Sequence, residues 1–152
     1  MQTLGHQVMS DSLSETMVPP PTERFLVWVD GVGGFLLCLG ERVSIGGPCW
    51  GQPDADIALL ASLSRRHATI VRSGDRYVIE PHAPTLLHGQ PVVDRSPLPA
   101  DCEVCLGTNV ELRFHMPSVL SATACLDFVS HHRPTHAVDG VLLMHETCLM
   151  GP

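Results

Sequence analysis

The stretch that decides the fold is ADIALLASLSRRHATIVRSGDRYVIEP, Ala55 to Pro81. Its second half holds two runs rich in β-branched residues, HATIV and RYVIE, on either side of Ser73-Gly74-Asp75. That is the chemistry of two antiparallel strands joined by a tight turn. Its first half, DIALLASL, is long enough for one helical turn before Ser62 and the next strand cut it short. Its middle, Ser64-Arg65-Arg66-His67, sets four polar residues between apolar runs at the mouth of a strand.

Working upstream, FLVWVDG is an apolar run closed by Asp30-Gly31. GGFLLCLG follows between glycines. In ERVSIGG, Val43 and Ile45 alternate with Arg42 and Ser44, the period of a half-buried strand. Gly46 to Asp54 is rich in glycine and proline and reads as a loop. Downstream, further short strands are expected at Thr85–Leu87, Pro91–Val93, Glu103–Leu106 and Val110–Phe114. No amphipathic helix of ordinary length is visible before Pro117. Many short strands at regular spacing predict an all-β sandwich of short antiparallel strands over residues 24–115.

The flanks read differently. Residues 1–23 are polar and end near Pro19-Pro20-Pro21, the pattern of a disordered arm with a stiff last piece. Residues 116–152 are expected to be a linker and a partial second repeat. The VDG of Val29–Gly31 returns at Val138–Gly140, an apolar run follows each, and Gly-Pro closes both, at Gly47-Pro48 and Gly151-Pro152. A cut-off repeat predicts that Val141, Leu143 and Leu149 are poorly covered. The alternative is two hairpins that share common turn chemistry.

Composition narrows the function. The 152 residues carry a formal charge of −7, with 44% hydrophobic and only 16% charged residues. That allows a sizeable core and speaks against a nucleic-acid-binding face, which is basic. All nine basic residues other than histidine are arginine, the better planar reader of anions. No secretory signal and no membrane-length apolar run is seen, so a cytoplasmic protein with no membrane partner is expected. The six cysteines fall mostly singly in apolar runs and are expected to be reduced and buried.

The order of features is specific: a strand ending in Ile45-Gly46, a loop to Asp56-Ile57, Ser64-x-x-His67 opening a strand, a hairpin, then Thr85-Leu86-Leu87-His88-Gly89. This resembles the forkhead-associated (FHA) domain, over roughly Phe25 to Phe114, with Ser-Arg-x-His-Ala as the most recognisable element. The resemblance implies a β-sandwich that binds phosphothreonine peptides through loops at one end, a protein–protein interaction module of the signalling kind. It implies that Ser64 and Arg65 contact the phosphate and that Thr85 and His88 face the peptide. Gly46, His67 and Gly89 would then support the site. Serine hydroxyl and guanidinium at adjacent loop positions are a sound pair for a phosphate dianion, which offers three acceptor oxygens.

This chain departs from the family pattern twice. Gly46-Gly47 stands where the family has Gly-Arg, and His88-Gly89 where it has Asn-Gly. Losing an arginine–phosphate bond costs about 1.5–3 kcal/mol, so weakened phosphopeptide binding is expected, and arginine at position 47 would restore the missing charge. The competing reading is a degenerate scaffold that associates with other protein surfaces and binds no phosphate.

Other chemistry is less well supported. Ser64 and His67 lack a third group to make a nucleophile and base, so no enzyme activity is expected. Cys102-x-x-Cys105 has no second pair, and His131, His132, His136, His145 and Cys148 follow no familiar zinc spacing, so neither metal nor cofactor is expected.

Overall fold

The computed structural model describes residues 23–48, 55–118, 121–135 and 137–144. The expected arm at residues 1–22 lies outside them, as do His136, His145, Cys148 and Leu149. Among the described residues there are thirteen strands and no helix. They form two sheets packed as a sandwich, as the strand spacing predicts.

The smaller sheet contains β3 (Arg42–Gly46), β4 (Ile57–Ala58), β5 (Ala68–Ser73), β6 (Arg76–Pro81) and β9 (Ser96–Leu98), in the order β4-β3-β5-β6-β9. The larger contains β1 (Arg24–Val29), β2 (Gly33–Cys38), β7 (Thr85–Leu87), β8 (Gln90–Pro91), β10 (Asp101–Leu106), β11 (Val110–His115), β12 (Ala124–Phe128) and β13 (Gly140–Leu143). Its order is β1-β2-β13-β12-β11-β10-β7-β8. Pairing is antiparallel except at β2–β13 and β3–β4. The β5–β6 hairpin closes with Ser73 opposite Arg76. Gly74 takes a left-handed φ of 67° in the turn, a conformation glycine adopts without steric penalty.

The core lies between the sheets. Ile45, Ile57, Ile70 and Ile79 from one side meet Leu36, Leu106, Leu112, Phe114 and Leu126 from the other, all essentially inaccessible. The Tyr77 and Phe114 rings meet edge to face with centroids 5.4 Å apart. Alternation along β10 and β11 is regular, with every second side chain buried. One buried polar pair is fully matched. The Asp56 carboxylate accepts the Ser44 backbone N–H at 2.8 Å and its hydroxyl at 3.0 Å, and the Ser44 oxygen accepts the Asp56 N–H at 3.0 Å. Together with Arg24 Nη1 donating to the Asp56 carbonyl at 2.9 Å, this fastens β4 to β3 and to the start of β1.

The tail corrects an expectation. Residues 124–143 do not begin a second module: β12 and β13 complete the larger sheet, and β13 sits parallel to β2 with Gly140 opposite Phe35. Val141 and Leu143 are 1% and 2% exposed, not poorly covered. The physical reason lies in the run Gly140-Val-Leu-Leu. All four residues are buried, because an interior strand covered on both faces reads as a continuous apolar run. The similarity to residues 29–40 reflects two neighbouring strands of one sheet. Exposed apolar surface lies instead on the edge strand β1 and its turn, at Phe25, Leu26, Trp28 and Val32.

Cys38, Cys102, Cys105 and Cys125 are all free thiols. Cys102 and Cys105 are three apart on a strand, so they face opposite sides of the sheet and do not form one ligand pair. Burial pushes the Cys38 thiol up to about 12 and the Cys102 thiol to about 11. Both therefore stay protonated, and poor nucleophiles, at neutral and mildly basic pH. Alkylation at pH 8 followed by mass spectrometry is expected to leave Cys38 and Cys102 unmodified in the native protein and to label both in denaturant.

Candidate functional site

Strands β3, β4, β6, β10 and β12 all run toward one end of the sandwich, and the loops there are tied together by backbone groups and one imidazole. The β4–β5 loop, residues 59–67, folds back over the end of β3. Gly47 N–H donates to the Ser64 carbonyl at 3.0 Å, and Leu59 N–H to the Gly46 carbonyl at 2.9 Å. The approach is so close that a Cβ on Gly46 would stand 2.0 Å from the Arg65 carbonyl oxygen. Only glycine fits there.

His67 is 3% exposed and joins three loops. Its Nε2 lies 2.7 Å from the Pro84 carbonyl, which only accepts, so Nε2 carries the proton. Nδ1 is then the acceptor for the Ser64 N–H, at 3.3 Å. The His67 backbone N–H donates to the Ile45 carbonyl, and its carbonyl accepts from His82 and Ala83 N–H at 2.8 and 3.1 Å. The Pro84 carbonyl also accepts the Gly107 N–H at 2.9 Å, which brings in the β10–β11 turn. A Cβ on Gly107 would touch Leu63 and His67 at 3.5 and 3.8 Å. Gly46 and His67 therefore hold the β4–β5 loop against the end of β3 and the Pro84 turn.

This frame holds Ser64 by both backbone groups and leaves its side chain exposed. Among the described residues the Ser64 hydroxyl has no hydrogen-bond partner. Arg65 follows it, half-buried, and Arg66 after that. Arg42 and Arg95 pair with Glu80, Arg72 with Glu41 and Arg113 with Asp101. The Arg113 guanidinium, hydrogen-bonded to Asp101, holds that carboxyl below its usual range.

Two of the expected peptide contacts sit elsewhere. Thr85 is 3% exposed and its hydroxyl donates to the Ala83 carbonyl at 2.9 Å, so it shapes the β6–β7 loop rather than facing outward. His88 is exposed, but on the wrong side of β7. Its N–H donates to Glu103, four residues before Gly107 on β10, which places it roughly 13 Å down the strand from the Ser64 end. His88 and Gly89, with φ of 49° and 77°, are the two central residues of the β7–β8 turn, where Leu87 pairs with Gln90. A two-residue turn with both φ positive is type I′, which favours Asn-Gly. Position 88 is thus set by turn geometry, and Gly89 supports that turn rather than the Ser64 loop.

Position 47 corrects a third expectation. A Cβ on Gly47 would lie 2.8 Å from the Leu63 carbonyl oxygen and 3.1 Å from that of Ala61. Both are backbone atoms, so arginine at 47 displaces the very loop that carries Ser64 instead of simply adding a charge.

Sequence reading also missed a contributor. The crossover between β12 and β13 runs to the outer edge of β4, where Leu60 N–H donates to the Arg133 carbonyl at 2.7 Å and Leu59 bridges to Pro134. His131, His132 and Arg133 thereby join this end of the molecule. No local signal marks them, because the pairing joins segments far apart in the chain.

Residues 43–107 match the family model for the FHA domain. No curated protein matches the chain. The match runs from β3 to the turn after β10 and so includes Gly46, Ser64, Arg65, His67 and Thr85.

Proposed function

We propose that the Ser64 loop reads phosphothreonine in a partner protein, because residues 43–107 match the family model for the FHA domain, a protein–protein interaction module. The observation that carries the reading is the Ser64 hydroxyl. It is exposed and unpartnered among the described residues, yet its backbone is fixed on both sides by His67 and Gly47. A binding group held rigid before the ligand arrives loses little ordering entropy on binding. Arg65 adds the charged donor that a dianion requires.

Gly47 brings no guanidinium, so on this loop the phosphate meets one charged fork, that of Arg65. Titration calorimetry with a degenerate phosphothreonine peptide library and its unphosphorylated counterpart tests this. Binding is expected only to the phosphorylated pool. Ser64→Ala is expected to weaken it about 5- to 10-fold, and Arg65→Ala roughly 10- to 100-fold. Equal binding of both pools would refute phosphate recognition. Absence of binding to either would leave a module that associates through other surfaces.

A further inference from the structure

We infer that the phosphate site is completed by Arg133, delivered from the β12–β13 crossover, and not by any side chain on the β3–β4 loop. The inference rests on the phosphothreonine reading above and assigns that site its second guanidinium.

The path of the chain brings Arg133 there. Beyond β12, Val129 and Ser130 N–H both donate to the Glu111 carbonyl, at 3.0 and 3.2 Å. The Ser130 oxygen accepts the Glu111 N–H at 3.1 Å and is hydrogen-bonded with His132 Nδ1 at 2.9 Å. The crossover then passes over the end of the sandwich and descends along β4. Besides the Leu60–Arg133 bond, Thr135 N–H donates to the Ala58 carbonyl at 2.8 Å. On the other edge of β4 lies β3, with Gly46 opposite Ala58. Arg133 is therefore two strand spacings from the end of β3, roughly 10 Å. A long arginine side chain and a phosphate together span that gap.

Side-chain direction and charge agree with this placement. Leu59 and Pro134 are buried, so their neighbours Leu60 and Arg133 turn outward, and Leu60 is 58% exposed. Among the described residues the Arg133 side chain has neither a carboxylate nor a hydrogen-bond partner. It borders a polar recess of about 270 Å³, lined also by Ser130, His131 and His132. One carboxylate, Asp139, lines the same recess, but it accepts the Gly34 N–H at 2.9 Å and is held toward β2. An acidic chain thus gathers Arg65, Arg66 and Arg133 at the one end where Ser64 is exposed. A planar fork there grips two phosphate oxygens at once.

The test compares the full chain with Arg133→Ala, Arg65→Ala and Arg76→Ala, the last on the hairpin turn at the opposite end. Fluorescence anisotropy with the phosphothreonine library is read at two salt concentrations, and thermal midpoints are recorded alongside. Arg133→Ala is expected to weaken binding roughly 10- to 100-fold, to flatten its salt dependence as Arg65→Ala does, and to leave the midpoint unchanged. Arg76→Ala is expected to bind as the parent does. If Arg65→Ala loses binding and Arg133→Ala does not, this inference falls and the phosphothreonine reading stands. If the parent shows no phosphate-dependent binding, both fall.

Discussion

Gly46→Ala is expected to lower stability by about 3 kcal/mol and the thermal midpoint by roughly 6–12 °C. The added methyl meets backbone, not a movable side chain: the Arg65 carbonyl oxygen at 2.0 Å, its carbon at 2.5 Å and the Ser64 oxygen at 2.7 Å. Gly46 also pairs with Ala58 and is itself buried, so β3 cannot move aside without breaking the parallel bridge to β4. The loop at 64–66 must move instead, and with it the Gly47–Ser64 hydrogen bond. Phosphopeptide binding should therefore fall more steeply than stability does. Circular dichroism melts check the first effect. A midpoint within 2 °C of the parent would show that the loop yields freely.

His67→Leu is expected to cost about 2–4 kcal/mol, from two backbone groups that lose their partner. Leucine keeps the apolar volume but has nothing to offer the Ser64 N–H or the Pro84 carbonyl. Pro84 retains the Gly107 N–H, which softens the loss on that side. Ser64 has no such reserve on its N–H, so the β4–β5 loop should open more often than the rest of the sandwich. Hydrogen exchange resolves this: faster exchange is expected at Ser64 and Gly47, with β10 and β11 unchanged. A uniform acceleration across both sheets would mean that His67 serves global stability alone.

What could be read from the chain beforehand followed the range of the interactions. The β5–β6 hairpin was legible because Gly74 and the β-branched runs on either side act within a few residues. Ser64 and His67 were legible as a pair because their hydrogen bond spans three positions. Residues 138–143 were misread because their burial depends on β2, more than a hundred positions away. An interior strand and the start of a new module look alike until the partner is known. His88 misled for a different reason. Its place in a type I′ turn and its supposed place in a binding edge use the same His-Gly letters, and only the register of β7 on β10 separates them. Arg133 lay wholly out of sight, since nothing local tells an arginine that it will stand beside β4.

The parallel strand β13 has a consequence for how the protein comes into being. Of the described strands, a ribosome delivers β1 and β2 before the others, yet their in-sheet neighbour is the last described strand, and Gly34 and Asp139, which clasp the two, are 105 residues apart. While the middle of the chain is emerging, the hairpin has no ladder to join, and it carries Phe25, Leu26 and Trp28 on a free edge. Local β-turns such as the β5–β6 hairpin form early, whereas a contact of that span closes slowly. Of the described strands, the first pair to be made is thus the last to be placed, and that hairpin stays exposed to wrong edge pairing until β13 arrives.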